Sequence, residues 1–281
     1  MARWFADQGF AALTYDKRGV GDSTGDFQAV PFMDLCDDGL AALEYLKSRK
    51  QIDLRHIGVW GLSQGGWLGP LAASRSADIS FVIAVSGPGV SPGEQMLVYY
   101  ANELRDRGVP EAEVWEADAL RRSVWSYLFT GQGYEKARRE LEAARTKPWF
   151  GEVNAQQDRL FGTLHKPFEL DQPGSAILRF RHEMTYNPVP TLRALRVPAL
   201  FLFGAEDRLI PVEKSVAVIR EALTQSDRAD FTIQVFDHDD HGMYVTTGEN
   251  RGALDSRYLD VMRKWLTERV RISPLNRSRS Q

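Results

Sequence analysis

The sequence predicts an α/β fold, a mostly parallel sheet flanked by helices, and two observations carry that prediction. Short apolar runs at 10–15, 56–62, 81–85, 199–203 and 231–236 alternate with helical patterns at spacings that demand crossover connections between neighbouring strands. The 281 residues, 43% of them hydrophobic, suffice to bury the core of one large domain. The alternation breaks once, between about 91 and 196, where the chain is charged, aromatic-rich and helical in pattern. The expected division is a discontinuous core of residues 1–90 and 197–270, a helical cap insertion at 91–196 over the sheet's C-terminal edge, and a flexible tail at 271–281.

Taken in order, residues 2–8 read as the end of a helix closed by Gly9, and 10–15 as a buried strand. Residues 16–25 carry Gly19, Gly21 and Gly25, which makes them a shaped loop, and they lack the Gly-x-Gly-x-x-Gly order of a dinucleotide site. The helix at about 33–49 sets Cys36, Leu40, Leu43 and Leu46 on one stripe, so Cys36 is expected in the core. The strand at 56–62 then delivers Ser63 to the start of a helix, and the strand at 81–85 ends in Ser86-Gly87-Pro88-Gly89. Breakers at Gly131-Gln132-Gly133, Pro148, Gly151, Pro167 and Pro173-Gly174 divide the insertion into several helices. Its aromatics Tyr99, Tyr100, Trp125, Tyr127, Phe129, Trp149 and Phe150 fit either a packed core or an apolar pocket. The strand at 199–203 leads into Gly204-Ala205-Glu206-Asp207 and a helix with Val212, Val216, Ile219 and Leu223 on one face. After the strand at 231–236 comes His238-Asp239-Asp240-His241-Gly242, and a final helix at about 251–268 is expected to bury Leu254, Tyr258, Met262 and Trp265.

Composition narrows the function. A net charge of −3 and a pI near 6.0 give no electrostatic footprint for nucleic acid or an anionic membrane. No apolar stretch is long enough to cross a bilayer, and residues 1–7 lack the pattern of a signal peptide, so the expected location is cytoplasmic. The single cysteine excludes an internal disulfide and fits a reducing compartment. Oligomeric state is not encoded in any pattern here.

The chemistry centres on Gly61-Leu62-Ser63-Gln64-Gly65, a serine between two glycines at a strand-to-helix turn. The turn is strained, and close packing of strand and helix is expected to need glycine at 61 and 65. Ser63, Asp207 and His241 all fall at the C-terminal ends of predicted strands, the edge where open parallel sheets bind ligands. Their order, serine, acid, histidine, suits a nucleophile, an orienting carboxylate and a general base. Glu206 rivals Asp207 and His238 rivals His241 for their roles. A metal site at 238–241 lacks an approaching third element, and His56, His165 and His182 read as surface or helix residues.

Four segments together carry a family resemblance: Tyr15-Asp16-Lys17-Arg18-Gly19-Val20-Gly21-Asp22-Ser23, Gly61 to Gly66, Gly204 to Pro211, and Asp240-His241-Gly242. From residue 1 to about 270 the chain resembles the serine esterases of the α/β-hydrolase superfamily, akin to dienelactone-hydrolase-like and prolyl-oligopeptidase-like catalytic domains. The resemblance implies the α/β-hydrolase fold, with Ser63 as nucleophile, Asp207 as acid, His241 as base, the Gln64 N–H as an oxyanion donor and no cofactor. It implies a small-molecule ester or acyl substrate, with carboxylic esters ahead of thioesters and short peptides. The alternatives are a prolyl-oligopeptidase-type serine peptidase and a truncated, non-catalytic remnant. Dehalogenase and epoxide-hydrolase relatives place an aspartate where this chain has Ser63. Asp16 and Arg18 are expected to hold their loop beside the cleft.

The resemblance also implies three more strands ahead of residue 2, the third lying between 10–15 and 57–62. On that reading Met1 is an internal methionine of a longer protein, and a second oxyanion donor is missing. The other reading moves the strand at 10–15 inward to pair with the nucleophile strand.

Overall fold

A computed structural model of the chain describes residues 1–26, 30–155, 164, 166, 170, 176–226 and 230–270. His165, the breakers Pro167 and Pro173-Gly174, and the tail 271–281 lie outside the described residues. Two compact units result: Met1–Gly89 with Pro188–Asp207 and Val212–Gln281, and Val90–Asn187 with Arg208–Pro211.

The first unit is built on a four-stranded parallel sheet of β1 (Gly58–Leu62), β2 (Phe81–Val85), β3 (Ala199–Gly204) and β4 (Phe231–Phe236), paired in that order. Every residue of β2 and β3 is buried, as expected for strands covered by helices on both faces. On one face Ile83, Val85, Leu200, Leu202 and Phe236 pack with Tyr258, Met262, Trp265 and Leu266 of α11 (Ser256–Arg269) and with Phe5 of α1 (Ala2–Asp7). On the other, Gly69 of α3 (Gly65–Arg75) lies over Val59 and Val82. The helix α2 (Phe32–Lys47) packs beside α3 with Cys36 buried, where desolvation pushes its thiol pKa up. α9 (Val189–Ala194) and α10 (Val212–Thr224) complete this unit among the described residues.

Several expected elements come out differently: the strand expected at 56–62 starts at Gly58, since Leu54–His56 form a 3-10 turn, and Gly151, expected as a breaker, lies inside the helix Phe150–Ala155. Residues 10–15 form no strand, and Ala11 to Tyr15 are exposed. The segment is held at its ends instead of along its length. The Phe10 N–H donates to the Phe5 carbonyl, and Arg18 makes two hydrogen bonds of 2.6 and 2.7 Å to Asp38 of α2. An apolar run specifies burial, but a strand also needs a partner edge within reach. Here Ala11 to Tyr15 and β1 line the same cleft of about 1010 Å³, together with Leu35, Cys36 and Leu43. Ser80 N–H binds the Ile57 carbonyl and Ser63 N–H binds the Val85 carbonyl, so residues 57, 59, 61 and 63 turn toward β2. The main-chain groups of Gly58, Trp60 and Leu62 therefore face the cleft, and inward pairing of 10–15 with the nucleophile strand does not occur.

The last helix starts at Ser256 instead of about 251, because the Asp255 side chain accepts the Arg257 N–H at 2.7 Å and caps it there. Leu254 precedes that cap and is exposed. The other apolar positions of its stripe are buried as the periodicity requires.

The second unit contains α4 (Pro92–Asp106), α5 (Glu111–Thr130), α6 (Tyr134–Ala144), α7 (Phe150–Ala155) and α8 (Ala176–Met184). Tyr100, Trp125, Tyr127 and Trp149 are buried among Leu104, Val114, Val124 and Leu128, with Tyr99, Phe129 and Phe150 packed against them. The aromatics are thus this unit's own core. Buried Arg121 stands 4.1 Å over the Tyr100 ring, a cation–π contact that shields its charge. No described helix is long and apolar enough to cross a membrane.

Candidate active site

β1 ends at Leu62, and Ser63 takes a left-handed backbone conformation, φ +55°. A non-glycine residue pays for that conformation, which recurs where a side chain must be aimed. The main chain fixes the turn: Ser63 N–H donates to the Val85 carbonyl at 2.8 Å, and Gly66 N–H donates to the Ser63 carbonyl at 2.8 Å. A Cβ on Gly61 would stand 2.4 Å from the Gly65 carbonyl oxygen, and one on Gly66 would stand 2.2 Å from Gly87 Cα. One on Gly65 would meet nothing within 4 Å, so the packing demand falls on 61 and 66, not on 61 and 65.

Gln64 begins the N-terminal turn of α3, where unpaired N–H groups and the helix dipole favour negative charge. Among the described residues its N–H has no hydrogen-bond partner. Its side-chain oxygen accepts from Lys17 Nζ at 2.8 Å, a contact for which the sequence offered no signal beyond the glycine-rich loop. In that loop Asp16 and Arg18 act separately. Asp16 accepts from the Asp22 N–H at 3.4 Å, its carbonyl accepts from the Ser23 hydroxyl, and Arg18 goes to α2.

Asp207 follows β3 with its side chain fully buried, and its Oδ2 lies 2.7 Å from His241 Nδ1. An ionised carboxylate only accepts, so Nδ1 carries the proton and Nε2 is left as the basic nitrogen. Glu206, one residue earlier, binds the other histidine instead, His238 Nδ1 to Glu206 Oε1 at 2.9 Å. The run at 238–241 therefore divides its histidines between two carboxylates, and no metal-holding group of three or more such residues exists among the described residues. His56 pairs with Asp53 at 3.0 Å on the surface, and His182 is exposed on α8.

The histidine loop is braced from within and from below. Asp240 Oδ1 accepts the Gly242 and Tyr244 N–H groups at 2.8 and 3.0 Å. The Ser86 hydroxyl donates to the His241 carbonyl at 2.8 Å. Asp239 is fully buried; its Oδ1 lies 3.5 Å from Arg257 and its Oδ2 has no hydrogen-bond partner among the described residues. Desolvation first, and then neighbouring Asp255, push its pKa up to about 7. Burial also works against the charge of Asp255, but its two bonds to Arg257 hold it below the ordinary range.

The structure thus joins Asp207 to His241 and sets Ser63 at the end of β1. Ser63 Oγ makes no hydrogen bond among the described residues, so the link from Ser63 to His241 is unmade in this structure. Such bonds are often open in an unliganded site and tighten around substrate.

Comparison with known proteins agrees with this architecture. The family model described as "Serine aminopeptidase, S33" matches residues 1–246. An Escherichia coli protein named "Uncharacterized 31.7 kDa protein in traX-finO intergenic region" is 24% identical over 218 residues, 77% of this chain and 69% of that one. "Thiohydrolase apmlB" of Arthrinium phaeospermum is 26% identical over 236 residues, 80% of this chain and 71% of its own length. The crystal structure of the α/β hydrolase GrgF from Penicillium sp. superposes with a TM-score of 0.57 at 17% identity, covering 96% of this chain and 84% of GrgF.

Proposed function

We propose, for a chain that belongs to the serine aminopeptidase S33 family of α/β hydrolases, that it cleaves a carboxylic ester or thioester through an acyl-enzyme on Ser63. One observation carries the reading: a fully buried carboxylate, Asp207, 2.7 Å from His241 Nδ1, in the unit that presents Ser63 at a strained strand-to-helix turn. In the first half-reaction His241 Nε2 takes the Ser63 proton as Oγ bonds to the carbonyl carbon. The carbonyl oxygen gains the negative charge, which the Gln64 N–H and the N-terminus of α3 stabilise. Collapse breaks the bond to the alcohol or thiol, and His241 returns the proton to that leaving group. Water, deprotonated by His241, then releases the acid and regenerates Ser63.

Thioesters enter on the strength of the relative named a thiohydrolase. A peptide substrate is the reading that the family's description favours. Ser63, Asp207 and His241 would serve all three, and the leaving group is what separates them.

The test is fluorophosphonate labelling, in which Ser63 Oγ displaces fluoride from phosphorus, run beside turnover of nitrophenyl esters, acyl thioesters and aminoacyl anilides. Labelling that maps to Ser63 and vanishes in Ser63→Ala is expected, with ester or thioester turnover exceeding anilide turnover. A soluble, folded chain that neither labels nor turns over any of the three would establish the non-catalytic remnant.

A further inference from the structure

Ser63 and Ser86 occupy matching places on neighbouring strands. Each follows the last residue of its strand, β1 or β2, and each has positive φ, +55° and +48°. Each also sends its N–H to the next strand, Ser63 to the Val85 carbonyl and Ser86 to the Leu202 carbonyl. A left-handed serine is costly, and a glycine would hold the turn more cheaply. Backbone strain retained at a residue whose side chain is fully buried asks what that side chain supplies. Its hydroxyl donates to the His241 carbonyl at 2.8 Å.

The consequence is a two-residue bridge across the site. Val85 holds the backbone of Ser63 through its carbonyl, and the next residue, Ser86, holds the backbone of His241 through its hydroxyl. Gly87 then packs against Gly66 of α3 so closely that a Cβ on Gly66 would be 2.2 Å from Gly87 Cα, which fixes the turn to the nucleophile's own helix. Asp207 sets the orientation of the imidazole ring, but a ring can point correctly and still stand too far from its serine. The Ser63–His241 link is open in this structure, so that separation matters. We propose that Ser86 is a positioning residue that sets the distance between His241 and Ser63, an inference that rests on the triad reading above.

Two variants separate hydroxyl from strain. Ser86→Ala removes the donor and keeps the backbone cost, whereas Ser86→Gly removes the donor and relieves it. Both are expected to slow Ser63 labelling by roughly 10- to 100-fold, the scale of a misplacement near 1 Å, with KM for ester little changed and kcat carrying the loss. The effect should disappear in a His241→Ala background, because Ser86 acts through His241. Proton NMR gives a readout independent of turnover: the downfield His241 Nδ1 proton, bound to Asp207, should exchange faster with water in both variants. Recovery of the wild-type rate in Ser86→Gly would assign the effect to strain and overturn the inference. An equal loss in the His241→Ala background, or an unaltered Nδ1 proton, would overturn it as well. If the wild type does not label but the Nδ1 proton responds as expected, the catalytic reading falls and the positioning role stands.

Discussion

The two acid–histidine pairs of this chain come from the same two loops and differ in almost everything except composition. Glu206 with His238 and Asp207 with His241 are offset by one residue on the acid side and by three on the histidine side, at 2.9 and 2.7 Å. The first pair is exposed, 44% and 61%; the second is 0% and 17% exposed. Similar distances thus conceal unequal chemistry. In water a carboxylate and an imidazole gain little from meeting, whereas a buried carboxylate must be satisfied and constrains the ring that satisfies it. Burial, not the pairing itself, makes one pair a candidate for catalysis.

The largest expected effect breaks the buried pair. Asp207→Asn keeps shape but can donate to Nδ1, stabilising the wrong tautomer, and should lower kcat for ester by roughly 10³- to 10⁴-fold. His241→Asn should cost at least as much, about the full base contribution. Measured on the same ester, a loss below about tenfold in either variant would remove the pair from the mechanism.

A smaller effect sharpens why the pairs are separate at all. Gly204 ends β3, and a Cβ there would lie 2.2 Å from the Asp239 carbonyl oxygen and 2.4 Å from that of Asp240. Those carbonyls belong to the loop that carries both histidines. Gly204→Ala should therefore destabilise by about 1–3 kcal/mol, seen in urea unfolding, by forcing the two loops apart. Gly65→Ala is the control, since nothing lies within 4 Å of its Cβ and alanine suits a helix better. Equal losses in the two variants would show that close packing at Gly204 is not the cause.

Much of this was legible in the sequence and some was not, for definable reasons. The runs at 81–85 and 231–236 are strands with the bounds the apolar pattern gives, because a strand covered on both faces or closing a parallel sheet is written locally. Asp207 and His241 were separable from Glu206 and His238 by motif position, and the structure gives them different partners. The strand expected at 10–15 does not form, since apolar composition reports burial preference while pairing depends on an edge the sequence cannot place. α11 starts later than the apolar stripe implies, because that stripe includes Leu254 while the Asp255 side chain caps the helix after it. Ser86 and Lys17 were invisible as site neighbours. Their contacts, with His241 and Gln64, join residues 155 and 47 positions apart, and no local period encodes that.

Next in size is a pH effect at the floor of the histidine loop. Asp239 is fully buried, and Asp255, Asp240 and Arg257 are the charged groups around it. Its folded pKa is raised to about 7, so the fold disfavours the charged form. The penalty is absent below the unfolded carboxylate value of about 4 and grows as pH rises from there toward 7. Asp239→Asn mimics the protonated form, and should stabilise on the order of 1 kcal/mol at pH 8. The gain should fade by about pH 4, as followed by urea midpoints. A gain that is the same at both pH values would mean that charge burial is not its source.

The smallest effect is the one that completes the comparison. The Thr246 hydroxyl first and His238 second hold the Glu206 carboxyl below its ordinary range, so the exposed pair is formed at neutral pH. It is nevertheless open to water and salt. Glu206→Gln and His238→Asn should each change ester kcat by less than about threefold. Salt distinguishes the pairs without any mutation. At 1 M ionic strength the screening length falls to about 3 Å, which reaches exposed charges but not the side chain of Asp207. The His238 ring proton shifts at fixed neutral pH should therefore move with added salt while those of His241 hold. If both move together, His241 is as open to solvent as His238, and burial is not what distinguishes the two pairs.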